Sequence, residues 1–241
     1  MWLISKKVSM QDSGLLQGFC DCHCHLLPGV DDGVQRMEET SQILERFEKI
    51  GVSEIWMTPH IMEDYPNEPD SLEERFHSVK DSYTGNIELH LAAENMMDGL
   101  FLKRLQADNL LTIKGAGNGN GLLLVETSYY NPPMNMQQTI DRIKEKGYQP
   151  LLAHPERYQY MQQDDYRHWK QQGVLLQLNV PSLVGAYGQQ VLRKAEWLLE
   201  KDMYDGFGTD IHSIDQMLFF LESPMSEKYV KKLRSIFKQH Q

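Results

Sequence analysis

Short apolar runs alternate with longer amphipathic stretches along most of this chain. The short runs are GFCDCHCH, VSEIWMTPH, IELHLAAE, GLLLVET, QPLLAHPE, VLLQLNV and MYDGFGTDIH, and their length and apolar character predict strands. Between them, apolar residues recur at helical spacing over about 36–50, 72–84, 98–108, 135–147, 164–172, 188–201 and 225–239. In EETSQILERFEKIG, Ile43, Leu44 and Phe47 share one helical face and Gly51 is the stop. NMQQTIDRIKEKG repeats the design and ends at Gly147. Strands and helices in alternation imply parallel pairing through crossovers. The pattern predicts a single α/β domain, a seven-stranded (β/α) barrel over residues 19–241, preceded by an N-terminal extension of residues 1–18. An open doubly wound sheet is the alternative.

The titratable side chains collect at the ends of these runs. His23 and His25 end the first and are followed closely by Asp31 and Asp32. His60 ends the second, Glu94 the third, Glu126 the fourth and His154 the fifth, while Asp210 and His212 end the seventh. In a parallel barrel all C-terminal strand ends open on one face, where active sites form. A single histidine at one end would be an ordinary hydrogen-bonded residue; recurrence at six ends points to a shared centre. Imidazole and carboxylate donors without thiolate suit zinc, manganese, iron or magnesium better than a structural zinc knot. Each divalent cation uses only part of the set, so two or three clustered ions are expected, with carboxylates as bridges. Such a cluster acidifies a bound water to hydroxide near neutral pH and clamps a substrate oxygen, chemistry suited to phosphoester hydrolysis.

Cys20, Cys22 and Cys24 alternate with Asp21, His23 and His25. In a strand, period two would turn the thiols into the packing and the imidazoles to the opposite face. A cysteine-phosphatase loop needs an arginine six residues beyond its cysteine. Those positions hold Leu26, Pro28 and Val30, which excludes that mechanism. KGAGNGNG at 114–121 precedes a strand instead of following one, so it is a flexible turn and not a dinucleotide loop. The net charge of −10 argues against nucleic-acid binding. No apolar run approaches the roughly 20 residues that cross a bilayer, and nothing resembles a signal peptide; a cytoplasmic location is expected. His77, His168 and His240 are expected outside the site, and His90 in the core. Asn179 ends the sixth run, where it could support a ligand by hydrogen bonding. The basic C-terminal segment KYVKKLRSIFKQHQ reads as a covering helix.

The H-x-H of DCHCH, with TPH, AHPER and TDIH, resembles the polymerase-and-histidinol-phosphatase (PHP) superfamily. More narrowly, HCHLLPGVDDG with AHPER is similar to the bacterial manganese-dependent protein-tyrosine phosphatases of capsule and exopolysaccharide gene clusters, over about residues 19–215. The resemblance implies a seven-stranded barrel with three metal ions, manganese foremost, with iron, zinc or magnesium as alternatives. Carried over, the first ion takes His23, His25, Glu94 and Asp210. Glu94 bridges to a second held by Glu126 and His154, and Asp32, His60 and His212 hold the third. Asp32 is chosen over Asp31 because it immediately precedes Gly33.

Arg157 matches a phosphate-binding arginine, and a guanidinium fork fits phosphate oxygens. If a proton is supplied to the leaving oxygen, a histidine near the third ion, His60 or His212, or a metal-bound water is the expected source. The implied activity is hydrolysis of phosphotyrosine on a protein, and the implied partner is a membrane-anchored tyrosine autokinase of polysaccharide export. A small-molecule phosphatase, such as one for histidinol phosphate, and a non-catalytic metal-binding protein are the rivals; the oligomeric state is left open. About 20 residues precede the H-x-H, more than the family's usual start, and Thr209 stands where serine commonly precedes the aspartate. Tyr129 and Tyr130 would shape an aromatic-accepting rim.

Overall fold

A computed structural model of the chain describes residues 6–114 and 119–237. The chain opens with β1 (Lys7–Ser9), β2 (Cys20–Cys24), α1 (Met37–Lys49), β3 (Glu54–Met57), β4 (His60–Ile61) and α2 (Pro69–Ser82). It continues through β5 (Glu88–Leu91), β6 (Glu94–Met96), α3 (Phe101–Ala107), β7 (Leu122–Glu126), α4 (Met136–Glu145), β8 (Gln149–Ala153) and α5 (Gln163–Gln171). It ends with β9 (Leu175–Asn179), α6 (Gln189–Glu200), β10 (Gly206–Gly208), α7 (Ile214–Glu222), β11 (Pro224–Ser226) and α8 (Glu227–Phe237). Most of the turn expected at 114–121 lies outside the described residues, as does His240.

The helices form where the spacing places them. In α1, Thr40, Ile43, Leu44 and Phe47 are buried on one face. Glu38 and Glu39 in its first turn and Arg46 and Lys49 in its last complement the helix dipole. The stops at Gly51 and Gly147 both hold, each with positive φ. The pattern missed α7, whose sequence IDQMLFFLE is too uniformly apolar at its centre to show a polar face. It also missed β1 and β11, three residues each, which pair antiparallel with each other.

All strand pairs from β2 to β10 are parallel. The order is β2-β3-β5 in one sheet and β4-β6-β7-β8-β9-β10 in the other. The two are one curled surface, because the second and third predicted strands are each interrupted. The former breaks into β3 and β4 at Thr58-Pro59, where proline brings no N–H to the ladder. The latter breaks into β5 and β6 at Ala92-Ala93. At the far side, the His25 N–H donates to Ile211 O (2.9 Å) and the Asp210 N–H to His23 O (2.7 Å).

Burial is two-sided, as parallel sheets require. Leu123, Val125 and Leu152 pack into the larger cluster with the helices, whereas Leu124, Leu151 and Ala153 join Trp56, Ala92 and Ile113 on the concave side. The expectation that all three cysteines share a face is corrected here. Cys20 and Cys22 pack on the concave cluster, but a register shift against β3 between Asp21 and Cys24 sends Cys24 into the larger one. That irregularity is what turns His23 and His25 inward.

Residues 7–16 are packed as part of the same unit. Met10, Leu15 and Leu16 are at most 2% exposed, and the Arg234 guanidinium on α8 donates to the Ser13 carbonyl. Among the described residues no helix is long and apolar enough to cross a membrane. Since Leu16 is buried, Leu16→Ala is expected to cost about 2–5 kcal/mol, read as a lower urea midpoint with unchanged slope.

Candidate metal centre

Glu94, at the start of β6 and fully buried, lies at the middle of the site. Its carboxylate is 3.2 Å from His23 Nε2, 3.3 Å from His25 Nε2, 3.2 Å from His60 Nδ1 and 2.9 Å from His154 Nε2. Asp210 lies 3.4 Å from the Nε2 atoms of both His23 and His25. Glu126 lies 3.0 Å from His60 Nδ1 and 3.8 Å from His154 Nε2. Asp32 faces His60 Nε2 at 3.5 Å and His212 Nε2 at 3.6 Å. All nine positions expected from the sequence are thus brought into one cluster, although they come from widely separated parts of the chain.

The donor atoms fall into three overlapping groups: His23, His25, Glu94 and Asp210; His60, Glu94 and Glu126; and His25, Asp32, His60 and His212. The first matches the expected set. His60 spans the other two, and His154 stands beside the second through Glu94 and Glu126.

Side chains behind the cluster set which nitrogen faces it. Gln177 Oε1 lies 2.8 Å from His23 Nδ1 while its Nε2 donates to Cys22 O, so the proton sits on His23 Nδ1 and the Nε2 lone pair faces Glu94. Asp31 does the same for His25, at 2.8 Å from Nδ1. It also accepts from the backbone N–H groups of Gly33 and His60. Asp31 therefore orients a histidine while its neighbour Asp32, half exposed, faces the cluster. The Asp210 carbonyl takes His212 Nδ1 at 2.9 Å.

Backbone irregularities aim the rest. Period two continued past Ala153 would send His154 outward with Leu152, but His154 adopts φ 33° and turns inward. Asp210 also sits in the left-handed region, at φ 52°. Such conformations cost on the order of 1–3 kcal/mol and persist where the surroundings over-determine them. Two glycines permit the close packing: a Cβ on Gly33 would overlap His25, and one on Gly208 would overlap His23.

The field in the pocket is strongly negative. Burial disfavours a charged His23, yet Glu94 and Asp210 outweigh it and raise its pKa to about 9. Burial likewise opposes ionisation of Glu94, but the imidazoles of His23 and His60 hold its carboxyl well below the usual range. His212 is pushed down to about 4 by burial and by the neighbouring His25. Several buried atoms face one another at contact distance without hydrogen-bond geometry, namely His60 Nδ1, Glu94 Oε2 and Glu126 Oε1. Donors about 2.1 Å from a shared cation would stand about 3–4 Å from each other, which these do. The residues fit divalent cations.

Arg157, in the turn after β8, lies beside this cluster. Its guanidinium donates to Asp210 Oδ2 at 2.6 Å and is sandwiched between the rings of Tyr129 (4.5 Å) and Tyr187 (4.3 Å). Asn179 Nδ2 donates both to Asp210 Oδ2 (2.9 Å) and to the Tyr187 hydroxyl (3.0 Å). Behind the turn, buried Glu156 accepts from the Asn179 N–H, the Ser182 hydroxyl and the Tyr204 hydroxyl, tying the His154–Arg157 segment to β9.

Gln177, Glu156 and Tyr187 were missed by sequence reasoning. Gln177 had a signal, since it lies two residues before Asn179 on one strand and so shares its face. Tyr187 had none, because it arrives from a loop. Tyr130 is 67% exposed and stands away from Arg157, so of the tyrosine pair only Tyr129 packs on it. His77 and His168 are exposed. His90 is not a core residue: it is part-exposed, stacks on Trp56 at 4.5 Å and faces Glu54 and Glu88, four residues before Glu94.

This is an α/β chain whose curled parallel sheet gathers imidazoles and carboxylates at its strand ends, a donor set suited to divalent cations. This chain is a member of the CpsB/CapC family of capsular polysaccharide synthesis, whose sequence profile matches residues 19–233. It is 26% identical over 211 residues to the tyrosine-protein phosphatase YwqE of Bacillus subtilis (strain 168), covering 85% of this chain and 82% of that one. It is 23% identical over 232 residues to the tyrosine-protein phosphatase CpsB of Streptococcus pneumoniae, covering 90% and 94%. Its fold matches a solved structure from work on YwqE and CpsB, described as unique metal-dependent tyrosine phosphatases, with a TM-score of 0.74 at 22% identity, covering 92% and 87%.

Gly208→Ala is expected to displace His23 while leaving far-ultraviolet circular dichroism unchanged. The rise in melting temperature on adding Mn2+ should be lost, and bound metal by elemental analysis should fall well below the wild-type content.

Proposed function

We propose that this chain is a metal-dependent protein-tyrosine phosphatase that hydrolyses phosphotyrosine on a protein. The observation that carries the reading is the Glu94 carboxylate, buried among four imidazoles, with an arginine held one residue-width away against Asp210. Residues 19–241 are assigned as the catalytic unit, a seven-stranded barrel, and residues 1–18 as an N-terminal extension, of which 7–16 pack against it. Support for closure comes from the backbone bonds between His23–His25 and Asp210–Ile211, which link the last strand to the first.

Three divalent cations are assigned, manganese foremost. His23, His25, Glu94 and Asp210 would hold the first; Glu94, Glu126 and His154 the second, with His60 close by; Asp32, His60 and His212 the third. When bound, these ions supply Lewis-acid charge and an acidified water for attack on phosphorus. The protein's own residues do the rest. Gln177, Asp31 and the Asp210 carbonyl each keep one imidazole nitrogen protonated and the other free to bind. Arg157 grips phosphoryl oxygens, and the two tyrosine rings keep its fork in the plane where a phosphate can meet it. His60 and His212 edge the side from which the tyrosyl oxygen departs and orient its proton supply. With a pKa near 10 that oxygen leaves readily, so little acid assistance is required.

The family and the named relatives support a substrate protein tied to polysaccharide export, which we take to be a tyrosine autokinase. A cytoplasmic site of action accords with that partner.

Activity on a phosphotyrosyl peptide is expected to fall at least about 100-fold in Glu94→Gln and after chelation, with recovery on adding Mn2+. Arg157→Ala is expected to cost about 100- to 1000-fold in kcat/KM, the scale for losing one donor to transition-state charge. Cys24→Ser should retain activity. A marked preference for histidinol phosphate over the peptide, or activity that survives metal removal, would defeat the assignment.

A further inference from the structure

A cleft of about 350 Å3 lies beside the metal centre and is lined mainly by Pro181, Ala186, Tyr187, Ile211 and Phe219, with Asp215 also on its wall. Its position ties it to the chemistry. Tyr187, whose ring stacks on the Arg157 guanidinium, is one wall, and Ile211, whose chain neighbours Asp210 and His212 belong to the cluster, turns its own side chain into the helix-side packing at the back of the cleft. A group held at Arg157 therefore has its immediate neighbours beside this cleft.

The exposed apolar surface of the molecule points the same way. Among the described residues, the large apolar side chains that are exposed are Tyr130, Met134, Leu218 and Phe219. Tyr130 and Met134 lie on the loop after β7, whose last residue is Glu126, and Leu218 and Phe219 lie on α7, which begins two residues after His212. Each pair follows a strand that delivers a residue to the site. Apolar side chains left in water around a polar centre mark a surface that something covers.

We infer that the Tyr187–Phe219 cleft is a substrate subsite, taking an apolar side chain, aliphatic or aromatic, that neighbours the phosphotyrosine in the substrate polypeptide; this rests on the phosphatase reading above. The lining selects for such a residue. It offers carbon surface on several sides, and exposed Asp215 on its wall repels acidic side chains. An apolar side chain in the cleft removes Phe219 and Ala186 from water and fixes the polypeptide direction, so that the phosphoryl group meets Arg157 and the cluster together. Recognition energy from a group remote from the reacting bond is then used for orientation.

The test uses the full chain with Mn2+ and three substrates: free phosphotyrosine, a phosphotyrosyl peptide with leucine or phenylalanine flanks, and the same peptide with glycine and serine flanks. The wild type is expected to show a KM about tenfold lower for the apolar-flanked peptide. Ala186→Trp, which fills the cleft, and Phe219→Ser, which removes a wall, should abolish that preference. Both positions are exposed, and unchanged turnover of free phosphotyrosine reports that the variants fold. Equal KM values for the two peptides in the wild type, or a preference that survives Ala186→Trp, would overturn the subsite. So would sedimentation showing a wild-type dimer that Phe219→Ser splits, since the surface would then be covered by a second copy. Failure to hydrolyse any of the three substrates would instead sink the phosphatase reading, and the subsite with it.

Discussion

Burying Glu94 is the constraint on which the rest of this structure depends. An ionised carboxylate taken fully out of water is strongly disfavoured unless positive charge or hydrogen-bond donors surround it. Here four imidazoles from three strand ends do so, and the same atoms are the ones a divalent cation would gather. A parallel sheet is well suited to this task, because all its strands end on one side and each can deliver a side chain to a common point. Gln177 and Asp31 behind the cluster then fix the imidazole rings, while Asn179 and Glu156 hold Asp210 and the His154–Arg157 turn.

Convergence on one point demands departures from regular strand geometry. A ladder with strict period two would carry His23 and His25 away from the concave face on which Cys20 and Cys22 pack, and would point His154 outward with Leu152. The register shift in β2, the break at Thr58-Pro59, the break at Ala92-Ala93 and the left-handed backbone at His154 and Asp210 all sit within a few residues of a donor. Gly33 and Gly208 belong to the same group, since they leave room for imidazoles that any larger residue would displace. The irregular positions and the chemical positions coincide because the same backbone has to serve both the ladder and the cluster.

Arg157 links the cluster to whatever is bound above it. Its charge is held by Asp210 and its orientation by two aromatic faces. One of those faces, Tyr187, also borders an apolar cleft.

Much of the architecture was legible in one dimension. Strand and helix alternation is a local property of spacing, and run-ending histidines and carboxylates at six strands pointed to residues that the structure brings together. The choice of Asp32 over Asp31 came from the family resemblance. The tertiary structure alone decided how those residues group, because Glu94, His60 and His154 come from separate strands and their distances depend on sheet curvature. It alone showed that Cys20 and Cys22 part company with Cys24, since a register shift leaves no trace in composition. Tyr187 and the cleft beside it were equally invisible, because a loop residue acquires its role from what folds against it. Sequence determines what each segment prefers by itself; which side chains meet across the sheet follows only from the packing that brings the segments together.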